Sequence, residues 1–342
     1  MKKAKVAILT EHKSVNYGSV LQTHALYNVL SKRNDVYILN YRALKYHLKE
    51  FKDFFLKPDL KKIQNSVSLY KKIRGFVSPL KHQPKKLLHS KKKIYNFYFD
   101  KIVVGSDEMW NYNNPYRGKD FSFFGENWNC EQKISYATSF GATTDITEFK
   151  ERIQKNLKKF SSISIRDFHS KKILDKIGIS SEVVLDPTFM WDFNEKKIDF
   201  LKNYVFVYGY FDKKTATHIA EYCKENNLKT FTPQASNKWC DEIMAISPTE
   251  WVDYLYSCKY VFTSSFHGTI LSIKYRKKFI YFKDYWSFNK VYNILEYLGL
   301  KENFFLDKNS FGVLKNENNF KEEFILKINS LFENSKNFIE KI

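Results

Sequence analysis

The chain has 342 residues, 43% hydrophobic and 18% aromatic, which is ample material for a buried core and excludes global disorder. Its length suits two domains better than one, and a net charge of +20 directs attention to anionic partners. The four cysteines, Cys130, Cys223, Cys240 and Cys258, have no CxxC spacing and read as reduced core thiols, not as a disulfide or metal framework.

In chain order, Val6-Ala7-Ile8-Leu9 is a short apolar run stopped by Glu11 and His12. It is too short for a secretory leader, and no stretch reaches the ~18 apolar residues of a membrane span, so a cytoplasmic location is expected. The run suits a strand buried on both faces. A polar loop through Asn16-Tyr17-Gly18 follows, then a helix from about Ser19 with Leu21, Ala25 and Val29 on one face, then a strand at 36–39. This βαβ opening predicts a parallel sheet.

Residues 42–93 carry 16 Lys/Arg against three acids (Glu50, Asp53 and Asp59), a net +13 of the total +20. Phe51, Phe54, Phe55, Leu56, Tyr70 and Phe76 are interleaved with them. No nucleic-acid fold signature accompanies this block, so an anionic membrane surface is the expected partner and nucleic acid is not.

Beyond it, strands are expected at 101–104, 134–138, 163–165 and 183–185. They end in the polar turns Gly105-Ser106-Asp107, Ser139-Phe140-Gly141, Arg166-Asp167 and Asp186-Pro187. Polar residues at the carboxyl ends of parallel strands are where α/β proteins bind ligands. The second half repeats the design, with a strand at 204–208, a helix at 215–226 and a strong helix start at Ser247-Pro248-Thr249-Glu250. A strand at 260–263 then leads to Ser264-Ser265-Phe266-His267-Gly268-Thr269, and a final helix is expected over 321–342. A hinge is expected between Met190 and Asn203.

The turn at His267 combines hydroxyls from Ser264, Ser265 and Thr269, a close-approach glycine and an imidazole, which suits an anion and a proton transfer. Arg166 at a strand end suits a fork onto a carboxylate or phosphate, and equally a salt bridge to Asp167 or Asp186. Asp107 fits a general base or a helix N-cap. Asn16 and Gly18 fit ligand contact or plain turn chemistry.

Taken together, Asn16-Tyr17-Gly18-Ser19-Val20-Leu21-Gln22, Gly105-Ser106-Asp107-Glu108-Met109-Trp110-Asn111, Ser135-Tyr136-Ala137-Thr138-Ser139-Phe140-Gly141, Ser164-Ile165-Arg166-Asp167, Val184-Leu185-Asp186-Pro187-Thr188 and Ser265-Phe266-His267-Gly268-Thr269 resemble, in order, the motifs of the polysaccharide pyruvyl transferase family. The resemblance implies an α/β protein with two Rossmann-like domains facing a cleft, similar to the GT-B glycosyltransferase fold. The domains expected are 1–195, on the acceptor side with the basic insertion 42–93, and 196–342, on the donor side.

It also implies transfer of pyruvyl from phosphoenolpyruvate, a co-substrate, onto a hexose as a cyclic ketal, with release of phosphate and no cofactor or metal. His267, Asp107 and Arg166 are the expected catalytic set. Donor contacts are expected from Arg166, Ser264, Ser265, His267, Gly268 and Thr269, the last two through amides on the phosphate. Acceptor contacts are expected from Asn16, Tyr17, Gly18, Gln22, Ser106, Trp110, Ser139 and Phe140. On this view His267→Ala and Arg166→Ala should each abolish turnover and leave the fold intact.

Two positions depart from the pattern. Glu108 stands where the family commonly has Gln, and Ser265 stands where some relatives carry Arg, which leaves the second donor cation to a lysine elsewhere. Acceptors of such enzymes are often sugars on undecaprenyl diphosphate, which would place the basic block on the inner membrane face. Two other classes stay open at this stage. One is a nucleotide-sugar glycosyltransferase, for which a uridine-binding Glu pair is missing; the other is a non-catalytic carbohydrate- or nucleic-acid-binding protein on the same fold.

Overall fold

Apolar runs that must bury both faces become the central strands. The computed structural model describes residues 3–42, 44–55, 60–88, 90–117, 119–199, 203–316 and 320–342. Leu56 and Asp59 of the basic block, and 200–202 of the expected hinge, lie outside the described residues.

The chain forms two compact units, the first from Met1–Lys57, Val77–Trp191 and Ser330–Ile342, the second from Pro58–Phe76 and Asp192–Asn329. The basic block is therefore divided, with 58–76 grouped in the second unit. There Lys72 Nζ donates to the Ala245 carbonyl (2.9 Å). The last helix, Glu322–Glu340, is likewise shared between the units along its length.

The first unit holds seven parallel strands: β1 (Lys5–Leu9), β2 (Asp35–Tyr41), β3 (His82–Leu88), β4 (Phe99–Asp107), β5 (Cys130–Thr138), β6 (Ser162–Ile165) and β7 (Glu182–Val183). Their order is β3-β2-β1-β4-β5-β6-β7. Val6, Ala7, Ile8 and Leu9 of the central β1 are completely buried, as a strand covered on both faces requires. The second unit holds five parallel strands, β8 (Tyr204–Tyr208), β9 (Lys229–Thr232), β10 (Glu242–Ile243), β11 (Tyr260–Thr263) and β12 (Phe279–Tyr281), in the order β10-β9-β8-β11-β12. In each sheet the order reverses once, between β1 and β4 and between β8 and β11. Loops leaving such a pair of strands turn in opposite directions and open a crevice at the carboxyl ends.

Several expectations shift. The first helix runs over Tyr17–Ser31 and is capped by Asn16, whose Oδ1 accepts from Ser19 N. The expected strand at 183–185 stops at Val183, because Leu185 N donates to Ser335 Oγ of the last helix (2.7 Å) and leaves the sheet. Within the basic block the chain forms the helices Leu44–Phe55 and Leu60–Val77 as well as β3, for which the charge count gave no sign. The helix Pro248–Ser257 starts on the capping box of Ser247 and Glu250, as its sequence dictates.

Candidate active site

At the reversal in the first sheet, β1 continues into Thr10 and Glu11 and β4 ends at Ser106-Asp107. Thr10 Oγ1 donates to the Ser106 carbonyl (3.0 Å), which joins the two strand ends. Gly105 has φ +119°, and a Cβ there would lie 2.3 Å from the Tyr136 carbonyl oxygen, so only glycine allows this approach to β5. Asp107 follows with φ +84°, unusual for a residue with a side chain. Its carbonyl accepts from Met109 N and Ser139 N, and its Oδ1 accepts from Glu108 N (2.8 Å).

The carboxylate of Asp107 is fixed by Arg166. One guanidinium nitrogen donates to Asp107 Oδ1 and the other to Asp186 Oδ2, each at 2.8 Å. The Arg166 side chain is 1% exposed and that of Asp186 is fully buried. Burial opposes the positive charge, but Asp107, Asp186 and Glu108 outweigh it and hold the guanidinium pKa above its ordinary value. Ser106 Oγ adds a 3.3 Å bond to Asp186 Oδ2, and Thr188 closes on Asp186 Oδ1 through N and Oγ1. Asp167 caps the helix Phe168–Lys176 through Ser170 N. Of the two readings for Arg166, the salt bridge describes these contacts, and both terminal nitrogens are engaged within the unit.

The expected acceptor residues divide. Asn16 is exposed, whereas Tyr17 and Gly18 are buried in the first helical turn. Gln22 is fully buried and its Nε2 donates to Thr10 Oγ1 (3.0 Å), beneath the strand junction. Ser139 Oγ accepts from Gly141 N (2.9 Å). Trp110 and Phe140 lie wholly inside the aromatic core, ring against ring at 5.5 Å, with the indole N–H donated to the Phe123 carbonyl. Their faces are committed to packing, and the structure presents neither at a surface.

At the second reversal, between β8 and β11, Ser265 caps the helix Phe266–Lys274 through Gly268 N (2.9 Å). Thr269 N and Oγ1 both donate to the Ser265 carbonyl. The Gly268 and Thr269 amides expected to hold a phosphate are thus spent inside the turn, since an N-cap satisfies the first donors of its own helix. A Cβ on Gly268 would meet Thr263 Oγ1 at 2.2 Å, so the turn needs glycine for space. Ser264 Oγ donates to the Tyr210 carbonyl and accepts from Tyr210 N, both at 2.9 Å. His267 is the second residue of this helix, largely buried, and its ring meets that of Phe266 edge-on at 5.3 Å.

Two features escaped the sequence reading. Lys290, on the helix Phe288–Leu298, is buried with its ammonium 5.7 Å from the Phe266 ring. In the first unit, Arg42 is buried between Glu11 (3.2 Å) and Glu50 (2.8 Å) and lies over the Tyr46 ring. Neither carries a local sequence signal, because each depends on pairing across elements. Among the described residues, no three His, Cys, Asp or Glu side chains are grouped to hold a metal.

Two parallel α/β sheets, each reversing its strand order once, give the chain the GT-B type of fold. The chain is similar to S. aureus MnaA solved with UDP (13% identity, 99% of this chain and 95% of that one, TM-score 0.55). It is also similar to the Neisseria meningitidis UDP-GlcNAc 2-epimerase (10%, 99% and 99%, TM-score 0.51) and to the Thermobaculum terrenum O-GlcNAc transferase (8%, 99% and 66%, TM-score 0.50). At such identities the similarity shows the fold alone. No curated protein matches the sequence. The polysaccharide pyruvyl transferase model matches residues 16–284, and the chain belongs to that family. It is accordingly a polysaccharide-modifying transferase.

Removing one partner of a buried ion triad leaves uncompensated charge, so Arg166→Met should lower stability by about 3–5 kcal/mol in chemical denaturation. A loss below about 1 kcal/mol would show that the two carboxylates do not depend on it. Arg166→Ala is subject to the same penalty, so an intact fold is no longer expected of it. His12, buried beside Thr10, is pushed down to about 3 by burial first and then by Lys13. A folded-state value below the ordinary 6.5 contributes stability above that pH, lost as pH falls from about 6.5 toward 3. Unfolding free energy measured across this window should fall less steeply for His12→Asn than for the wild type; parallel slopes would contradict the assignment.

Proposed function

We propose that the protein transfers the pyruvyl group of phosphoenolpyruvate onto a hexose of a cell-surface polysaccharide precursor as a cyclic ketal, releasing phosphate. The observation that carries this reading is the family match over 16–284, a span that takes in the His267, Arg166 and Asp107 turns and leaves out Thr10 to Val15 and the end of the turn after β12. In this mechanism His267 protonates the methylene carbon of the donor and C2 becomes electrophilic. One sugar hydroxyl attacks C2 as Asp107 accepts its proton, phosphate leaves, and a neighbouring hydroxyl closes the ketal. Atoms balance as acceptor diol plus phosphoenolpyruvate giving ketal plus phosphate.

The residue chemistry supports these roles. Asp107 Oδ1 accepts from the Arg166 guanidinium at 2.8 Å, so Arg166 serves as a positioning residue. His267 stands at a helix start, where the dipole favours an anion. Lys290, buried with its ammonium 5.7 Å from the Phe266 ring, is the lysine assigned the place of the cation that Ser265 does not supply. A lipid-linked acceptor would account for the basic block. Lys72, Lys81 and Lys91 are drawn to Glu250, Asp35 and Asp120, whereas Lys85, Lys86, Lys92 and Lys93 are exposed. No helix among the described residues is long and apolar enough to cross a membrane, so contact would be peripheral.

Incubation with phosphoenolpyruvate and a panel of hexosides should release phosphate and add the mass of one pyruvate less one water. His267→Ala should slow this by ~10²–10⁴-fold. Turnover with nucleotide sugars alone, or near-normal phosphate release by His267→Ala, would overturn the reading. Flotation with anionic vesicles should fall when Lys85, Lys86, Lys92 and Lys93 are changed to Gln, since each basic residue near such a surface contributes ~1 kcal/mol. Unchanged flotation would remove the membrane role.

A further inference from the structure

The carboxyl edge of the second sheet carries three large aromatic side chains that the mechanism does not use. Tyr210 is 69% exposed, Tyr285 76% and Trp286 48%. Isolated exposed aromatics need no explanation, but these three share one attachment. Tyr210 leaves β8, and its N–H and carbonyl are both bonded to Ser264 Oγ. Tyr285 and Trp286 leave β12, and the next residue, Ser287, donates through Oγ to the Ser264 carbonyl (2.7 Å) while Tyr281 Oη meets the same hydroxyl at 2.6 Å. Asp284 Oδ2 accepts from Trp286 N (2.9 Å) and Ser287 N (3.2 Å), which fixes the loop backbone. Because β8 and β12 flank β11, the aromatics stand on either side of the His267 turn.

The backbone here is held while the rings face water. Such an arrangement forfeits burial of the rings in the chain's own core and keeps rigid, amphipathic surface available for a ligand at low entropic cost. Tyr285 and Trp286 meet edge-to-face, with centroids 5.1 Å apart and planes at 86°, so one ring face stays open beside a perpendicular wall. A flat apolar face with a polar rim fits the C–H face of a pyranose, and the family assigns a saccharide as what this protein modifies.

We propose that Tyr285 and Trp286, with Tyr210 opposite, form a stacking platform for a sugar ring of the acceptor. This platform would select acceptors of more than one residue. The proposal rests on the pyruvyl-transfer reading for its ligand, so it is tested by binding as well as by turnover.

The probes are the methyl glycosides of lactose, cellobiose and mannobiose, with binding followed by saturation-transfer NMR in the absence of phosphoenolpyruvate. At least one disaccharide is expected to bind through its ring C–H protons. The Tyr285→Ala/Trp286→Ala double variant should weaken that binding about tenfold or more, and Trp286→Phe should keep most of it. An unchanged thermal melt confirms that the double variant folds. Wild-type protein that binds none of the three, or a double variant within twofold of it, overturns the proposal. So does a double variant that instead loses vesicle flotation or self-association with sugar binding intact. The reaction is scored separately, by phosphate release from phosphoenolpyruvate with the same sugars. Sugar binding lost in the variant without any wild-type turnover would support the platform and overturn the reaction. Turnover insensitive to the substitutions would do the opposite.

Discussion

The first unit is organised around one buried cation. Taking the Arg166 guanidinium out of water costs several kcal/mol, and only two carboxylates in near-ideal geometry offset that cost. Asp186 and Asp107 come from the ends of different strands, so satisfying Arg166 fixes where β4, β6 and the segment after β7 terminate. The left-handed backbone at Asp107 belongs to the same arrangement. A residue in that conformation persists where its surroundings over-determine it, and here its carbonyl, its carboxylate and its neighbour's amide are all bonded.

The second sheet reaches a similar arrangement with many hydroxyls. At its reversal a relay of hydroxyls joins the strand ends. Thr263 Oγ1 donates to the Tyr208 carbonyl and lies 3.1 Å from Ser265 Oγ, which caps the His267 helix. The first turn is therefore built around a buried guanidinium, and hydroxyls from Thr263, Ser264, Ser265 and Ser287 recur through the second. Salt screens exposed charges far more than short buried contacts, so neither turn is expected to loosen at moderate ionic strength.

Much of the fold is legible in the sequence where burial alone decides. Val6 to Leu9, Val103 and Val104, and Tyr204 to Tyr208 read as strands because unbroken apolar runs have few other uses. The capping box at Ser247 and Glu250 is legible because its partners are three residues apart. What failed to read is non-local. Trp110 and Phe140 sit in motifs full of polar residues, and nothing local says that their rings turn inward onto Phe124. The Gly268 and Thr269 amides read as an anion cradle until the serine before them is seen to cap its own helix. Lys290, Tyr210 and Trp286 join the His267 region through sheet order, which is invisible from spacing along the chain. The assignment of 58–76 and 330–342 to units remote in sequence has the same cause.

The bond from Leu185 N to Ser335 Oγ spans 150 positions, and Phe338 packs on Tyr136 from the same helix. As the chain leaves the ribosome, the whole of 192–329 is made before Ser335 and Phe338, the partners of Leu185 and Tyr136, become available. The second sheet can therefore close while the edge of the first still lacks its hydrogen-bond acceptor. Order of synthesis and order of completion are reversed: the unit begun first is finished last.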